Sequence, residues 1–480
     1  RGAAASGRQV STQNALLWAT VGGLVLSACG GASTTDKAST DGVAEPARDG
    51  GDEDGQDGTA DGGEDTAPPE DSGDPPLPGP PTLHIPPTGL TADALGVVFN
   101  ADWEGSEAIA RRYAELRGIP DNRVVGLDLG TAGNLSREDF AIAQATLESS
   151  LDDSVQALLL TFTTPYRVDC MGASAAFGLG FDTRWCQPGP PCNPTAEGPL
   201  YGVETNAPWT EHHVRPTMML FHEDADLAEA FIQRGIDGDD SLPGLDHGAK
   251  GRLVHTTDAA RSVRERNFRA AVADFDSSSG LDLAFVDATE DGVDNELTVE
   301  TDLLFYLTGL ATLSAIDTNA YLPGALADHL TSYGGVFPTS SQTPATAWLE
   351  AGATASYGTA IEPCNYPQKF PRATELLPAY FQGATAVEAY WRAVEWPGEG
   401  NWVGEPLSRP FGHRTDWAEG VLTIDTSAVD PTQDWRIEVG DSADGPWEAL
   451  STGAGPVDGF GWVHIEQTEV WDRHYRLVIE

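Results

Sequence analysis

The chain has 480 residues, 74 acidic against 27 basic, and a formal net charge of −47. Such an excess excludes a nucleic-acid partner, whose phosphates need Lys and Arg, and argues against docking on anionic lipid. It suits solubility, salty surroundings included.

Arg1 and Arg8 precede an uncharged run of apolar and small residues from Ala15 to Leu26. Its length fits the apolar part of a secretion signal and is too short to span a bilayer. The run ends Leu26-Ser27-Ala28-Cys29-Gly30, which resembles the lipobox cleaved by bacterial lipoprotein signal peptidase. That resemblance implies a signal peptide over residues 1–29 and a lipid on the Cys29 thiol as the membrane attachment. With Gly30 after the cysteine, it also implies placement at the outer membrane or cell surface. Residues 30–86 are Asp and Glu set among Gly, Pro, Ser and Thr. So little apolar surface cannot offset the entropy of ordering, so the composition predicts a disordered acidic linker. As a flexible coil of about 55 residues it reaches on the order of 40 Å.

Residues 87–412 read as an α/β domain. Leu95–Asn100, Arg123–Leu129 and Val155–Phe162 are apolar enough for buried strands. Between them, Ile109, Tyr113 and Leu116 recur at helical spacing up to Gly118 and Pro120. Ser136 with Asp139 opens a second helix in capping-box style. The alternation predicts an open, mostly parallel sheet with helices on both faces. Residues 170–216, crowded with Gly, Pro and three cysteines, predict an irregular insertion. Strands and helices then alternate to Thr385–Val394, the last helix expected. From 413 to 480, Gly420–Asp425, Trp435–Val439, Gly461–Ile465 and Tyr475–Ile479 alternate with turn residues and predict a small all-β, sandwich-like module.

Four cysteines remain after Cys29, and an even number outside the cytoplasm predicts disulfides. Cys186-Gln-Pro-Gly-Pro-Pro-Cys192 makes Cys186–Cys192 the first expected pair, leaving Cys170 for Cys364. No His stands at zinc-ligand spacing beside them, and no metal or cofactor is expected. The Asp274-x-Asp276-x-Ser278 and Asp287-x-Thr289-x-Asp291-Gly292 runs echo calcium loops but reach no Glu at the twelfth position, so they read as surface turns.

Several segments resemble a family of exported bacterial proteins of unknown function. They are Val98-Phe-Asn100 with Ser106, Tyr113 and Arg117-Gly-Ile-Pro120; Leu322-Pro-Gly-Ala-Leu-Ala-Asp-His-Leu-Thr-Ser-Tyr-Gly-Gly335; Ala353-Thr-Ala-Ser-Tyr-Gly-Thr-Ala-Ile-Glu-Pro-Cys364; Glu388-Ala-Tyr-Trp391; and Gly404-Glu-Pro-Leu-Ser-Arg-Pro-Phe411. More distantly, the order of the C-terminal half resembles the caspase-like fold of gingipain-type cysteine peptidases. There a strand ending in Gly-His-Gly precedes a strand ending at the nucleophilic Cys. Here Leu303–Gly309 and Ala325–Ser332 stand in those places without that His or Cys.

A nucleophile needs a base within reach and donors for the developing oxyanion. His329, Ser332 and Cys364 are the catalytic candidates, as a His329–Cys364 dyad or with Ser332 attacking; His329 bonded to backbone and Cys364 held in a disulfide are the plain alternatives. Asp258, Arg261 and Arg264 sit at an expected helix start and either cap and pair there or hold a substrate carboxylate. Glu362 and Lys369 flank Cys364, as an ion pair or as cleft walls. Two functions follow: a catalytically silent surface protein that binds or scaffolds a protein or peptide partner, or a peptidase-like surface hydrolase.

Overall fold

The computed structural model describes residues 78–186, 192–242, 248–275 and 277–480. The signal, Cys29 and most of the acidic linker lie outside the described residues.

Ten strands form one open sheet. In chain order they are β1 Leu95–Asn100, β2 Val124–Leu127, β3 Ala157–Leu160, β4 Thr217–Met219, β5 Lys250–His255, β6 Asp282–Asp287, β7 Leu303–Thr308, β8 Tyr321–His329, β9 Ala355–Thr359 and β10 Gly400–Gly404. Across the sheet the order is β6-β5-β7-β8-β9-β10-β4-β3-β1-β2. Every neighbouring pair is parallel except β9 with β10, which run antiparallel from Ala355↔Gly404 to Thr359↔Gly400. The sheet therefore has two halves of opposite direction. The C-terminal ends of β5 to β9 share one edge, and crevices open at such edges.

Helices cover both faces, which is why the inner strands read as continuous apolar runs. All four residues of β3 and all six of β7 are buried. Ser136 accepts a hydrogen bond from the Asp139 N–H and starts the helix Arg137–Ser150. A full capping box of Thr385 and Glu388 starts Ala386–Ala393. The 170–216 insertion is more ordered than its composition implies, holding the buried helix Ala173–Leu179. The helix expected to start around Asp258 begins only at Glu265; before it the Arg261 and Ser262 N–H groups both bond the Asp258 carbonyl in a separate turn.

The C-terminal residues form two small antiparallel layers. One is His413–Ala418, Val421–Thr426 and Val463–Thr468; the other contains Asp434–Gly440, Trp447–Ala454 and His474–Ile479. Leu422, Ile424, Ile437, Val439, Ile465 and Leu477 fill the space between them. A further strand corrects the linker boundary: Thr82–His84, assigned by composition to the acidic linker, pairs in parallel with His474–Arg476. Phe460 and Trp462 pack from the module onto Phe275, Phe381 and Phe411 of the α/β body.

Candidate crevice at the strand ends

A cavity of about 290 Å³ opens where β8 and β9 end, lined by Arg261, Leu330, Thr331, Ser332, Glu362 and Cys364 among others. The loop after β8 is held firmly. Thr359 Oγ1 donates to the carbonyls of Thr331 and Ser332 at 3.1 Å each. Gln342 Oε1 accepts from Thr331 Oγ1 at 2.7 Å and from the Tyr333 N–H at 2.8 Å. Contact dictates a glycine on each side, Gly335 in this loop and Gly358 in β9: a Cβ on Gly335 would lie 2.4 Å from the Gly358 carbonyl oxygen, and one on Gly358 would lie 2.3 Å from the Gly334 carbonyl carbon. Backbone against backbone thus sets Ser332 beside the β9 end, where its Oγ donates to Glu362 Oε1 at 3.2 Å. The same oxygen accepts the Cys364 N–H at 2.9 Å.

Four of the sequence-selected residues line it, Arg261, Ser332, Glu362 and Cys364. Cys364, however, is bonded to Cys192, with Cα atoms 5.2 Å apart. His329 is buried below the crevice. Trp348 Nε1–H, which can only donate, bonds His329 Nδ1 at 2.9 Å. The ring proton therefore sits on Nε2, which donates to the Thr343 carbonyl at 3.0 Å. Burial, reinforced by Arg264 and Arg261, pushes the imidazole down to about 3. The candidate His329–Cys364 dyad does not form, and the plain alternatives describe both residues: the sulfur has no thiol, and the imidazole has no lone pair left for a proton. Ser332 has a carboxylate for a partner and no imidazole.

The remaining expectations sort by burial. Arg264 is buried, pairs with the buried Asp328 at 2.6 Å, and donates to the Thr308 carbonyl at 2.5 Å, so it is not free for a substrate carboxylate. Burial raises the Asp328 carboxyl, and Arg264 opposes that rise. Asp258 and Arg261 pair at 2.8 Å, leaving Arg261 along the crevice wall. Lys369 is corrected: it bonds the buried Glu399 at 2.8 Å and not Glu362. The disulfide pairing is corrected as well. Cys170 bonds Cys186, because the helix Ala173–Leu179 folds the chain back and brings their Cα atoms to 5.6 Å. That leaves Cys192 for Cys364. Among the described residues no group of His, Cys, Asp and Glu could hold a metal ion, and no helix is long and apolar enough to cross a membrane.

The sequence missed what its strongest segments do for one another. Glu405 is fully buried and takes Arg117 in two bonds of 3.0 and 2.7 Å, with the Tyr113 hydroxyl donating to the same carboxylate. The Tyr113, Arg117-Gly-Ile-Pro120 and Gly404-Glu-Pro406 segments are thus one buried clasp, with Asp239 on the far side of Arg117. Asn100 serves likewise: its N–H donates to Ser106 Oγ at 2.9 Å and its Nδ2 to the carbonyls of Gly130 and Thr164.

No protein-family model matches the chain, and no curated protein matches its sequence. The likeness to an exported family of unknown function therefore rests on the quoted segments alone. Solved structures do match. The Arg-specific cysteine proteinase gingipain R (RgpB) is similar over 82% of this chain and 99% of its own, at 10% identity and a TM-score of 0.36. A complex of Porphyromonas gingivalis RgpB pro- and mature domains is similar over 80% and 99%, at 10% and 0.34. A chain described as a protease is similar over 82% and 97%, at 10% and 0.36. At such values no residue role passes to this chain.

Proposed function

We infer that this chain is a lipid-anchored protein of the outer membrane or cell surface, and that it captures a protein or peptide partner in the crevice at the ends of β8 and β9 without cleaving it. The observation that carries this reading is the commitment of both chemistry-bearing side chains: His329 to Trp348 and Thr343, Cys364 to Cys192. What remains in the cavity is the Arg261 guanidinium, the Glu362 carboxylate, the hydroxyls of Thr331 and Ser332, the Asn365 amide and the apolar Ala260 and Leu330. That set suits a polar side chain or a short extended segment held by hydrogen bonds. Acyl transfer would require an activated nucleophile, which this set does not supply.

Two assays on the purified chain test the reading. Incubation with dye-labelled casein is expected to release no soluble dye above a boiled control. Panning a random peptide library is expected to yield binders whose affinity drops about tenfold or more in Ser332→Trp, about 1.4 kcal/mol or more, because the indole fills the cavity. Casein hydrolysis lost in Ser332→Ala or Cys364→Ala, or peptide capture indifferent to Ser332→Trp, would overturn it.

A further inference from the structure

The two disulfides lie in opposite surroundings. Cys186 is wholly buried and Cys170 is 9% exposed, both within the main core. Cys192 is exposed, and Cys364 is partly exposed on the crevice wall. We propose that Cys192–Cys364 is a thiol-exchange site, opened by a dithiol reductant arriving from solvent, while Cys170–Cys186 is a closed structural bridge. Exchange needs a thiolate to approach a sulfur along the S–S axis, so access decides which bridge reacts.

The chemistry runs in two displacements. A thiolate of the dithiol attacks Cys192 Sγ, the exposed end; a sulfur–sulfur bond forms there, and the bond to Cys364 breaks. Cys364 Sγ leaves with the electron pair as a thiolate. The second thiol of the reductant then attacks its own sulfur in the mixed disulfide and expels the Cys192 thiolate. The reductant departs as a disulfide, having supplied two electrons and two protons. Arg261 lines the same cavity as Cys364, and its positive charge favours the leaving thiolate and speeds departure, against the opposing charge of Glu362, whose Oε1 accepts the Cys364 N–H at 2.9 Å. Opening the bridge frees a thiol in the crevice and unties Cys192 from the Glu362-Pro-Cys364 loop, leaving the Tyr366 hydroxyl on the Cys192 carbonyl at 3.2 Å as the neighbouring tie. The freed thiol gains no imidazole base, since both His329 nitrogens stay engaged with Thr343 and Trp348, so the site exchanges disulfides and gains no Cys–His pair. This assignment stands apart from partner capture, because its readout is sulfur chemistry alone.

The test is a dithiothreitol time course on the full chain in native buffer, quenched with iodoacetamide and mapped by peptide mass spectrometry. Cys192 and Cys364 are expected to label at least about tenfold faster than Cys170 and Cys186, because buried sulfurs must await local opening. Arg261→Gln is expected to slow labelling of Cys364 several-fold, with Cys170 and Cys186 still protected as a sign of an intact fold. Four cysteines labelling together, Cys170 and Cys186 labelling first, or no labelling short of guanidinium would overturn the exchange site. An unchanged rate in Arg261→Gln would overturn the part given to the guanidinium.

Discussion

His329 is an imidazole used as a structural wedge, and that use has a pH signature. The folded chain refuses a proton at this ring until about pH 3, whereas the unfolded chain accepts one near 6.5. Between those values the unfolded state binds more protons, so stability falls as the pH falls through that window, by at most about 5 kcal/mol. Urea unfolding at stepped pH should show this slope, and His329→Gln should flatten it while lowering stability at neutral pH; an equal slope in the variant would contradict the assignment. Next to it, Arg264 and Asp328 neutralise each other out of water. Arg264→Met strands a buried carboxylate and should cost about 3–5 kcal/mol, while adding Asp328→Leu should recover most of that loss. Denaturant midpoints of the two variants decide it, and a single variant as stable as the parent would contradict the pairing.

The bridge between Cys192 and Cys364 closes a ring with a sequence separation of 172. In the chain-entropy account, opening so long a ring by Cys192→Ser with Cys364→Ser should lower stability by about 2–5 kcal/mol. A thermal unfolding curve superimposable on the parent's would contradict this. The elements on either side of that bridge were legible in the sequence where one physical rule acted alone. β1, β3 and β7 are buried on both faces and read as apolar runs. The helix Ala373–Phe381 escaped notice because it is apolar nearly all round and carries Pro378 inside. β10 escaped because Gly-Asn-Trp-Val-Gly is short and glycine-bounded, its identity fixed only by pairing with β9. Ser332, Glu362 and Cys364 share one cavity because all three follow strand ends on one sheet edge, whereas His329, a catalytic candidate beside Ser332 and Cys364, is buried and does not line it. The partners that decide their chemistry come from elsewhere. Trp348 and Thr343 reach His329 by way of a loop and the helix Thr346–Ala351, and Cys192 arrives from the insertion. No spacing in the sequence encodes those contacts.

On the scale of the whole chain, the boundary of the folded part is set by pairing more than by composition. Thr82–His84 is stitched to His474–Arg476, and Phe460 and Trp462 hold the module to the body. Limited proteolysis with a broad protease should therefore cut within the acidic stretch upstream and leave one resistant fragment beginning before Thr82 and ending at the C-terminus. A fragment beginning near Leu95, or separate release of residues 413–480, would contradict that unity. The proposed membrane attachment rests on Cys29, so metabolic labelling with palmitate should be lost in Cys29→Ala, and label persisting in that variant would contradict the anchor. The crevice is proposed to capture without cutting because its sulfur is already bonded to Cys192. Non-reducing alkylation of the freshly purified chain, followed by peptide mass mapping, tests it most directly. A Cys192–Cys364 crosslinked peptide with no alkyl group on either sulfur is expected; stoichiometric alkylation of Cys364 would overturn the proposal.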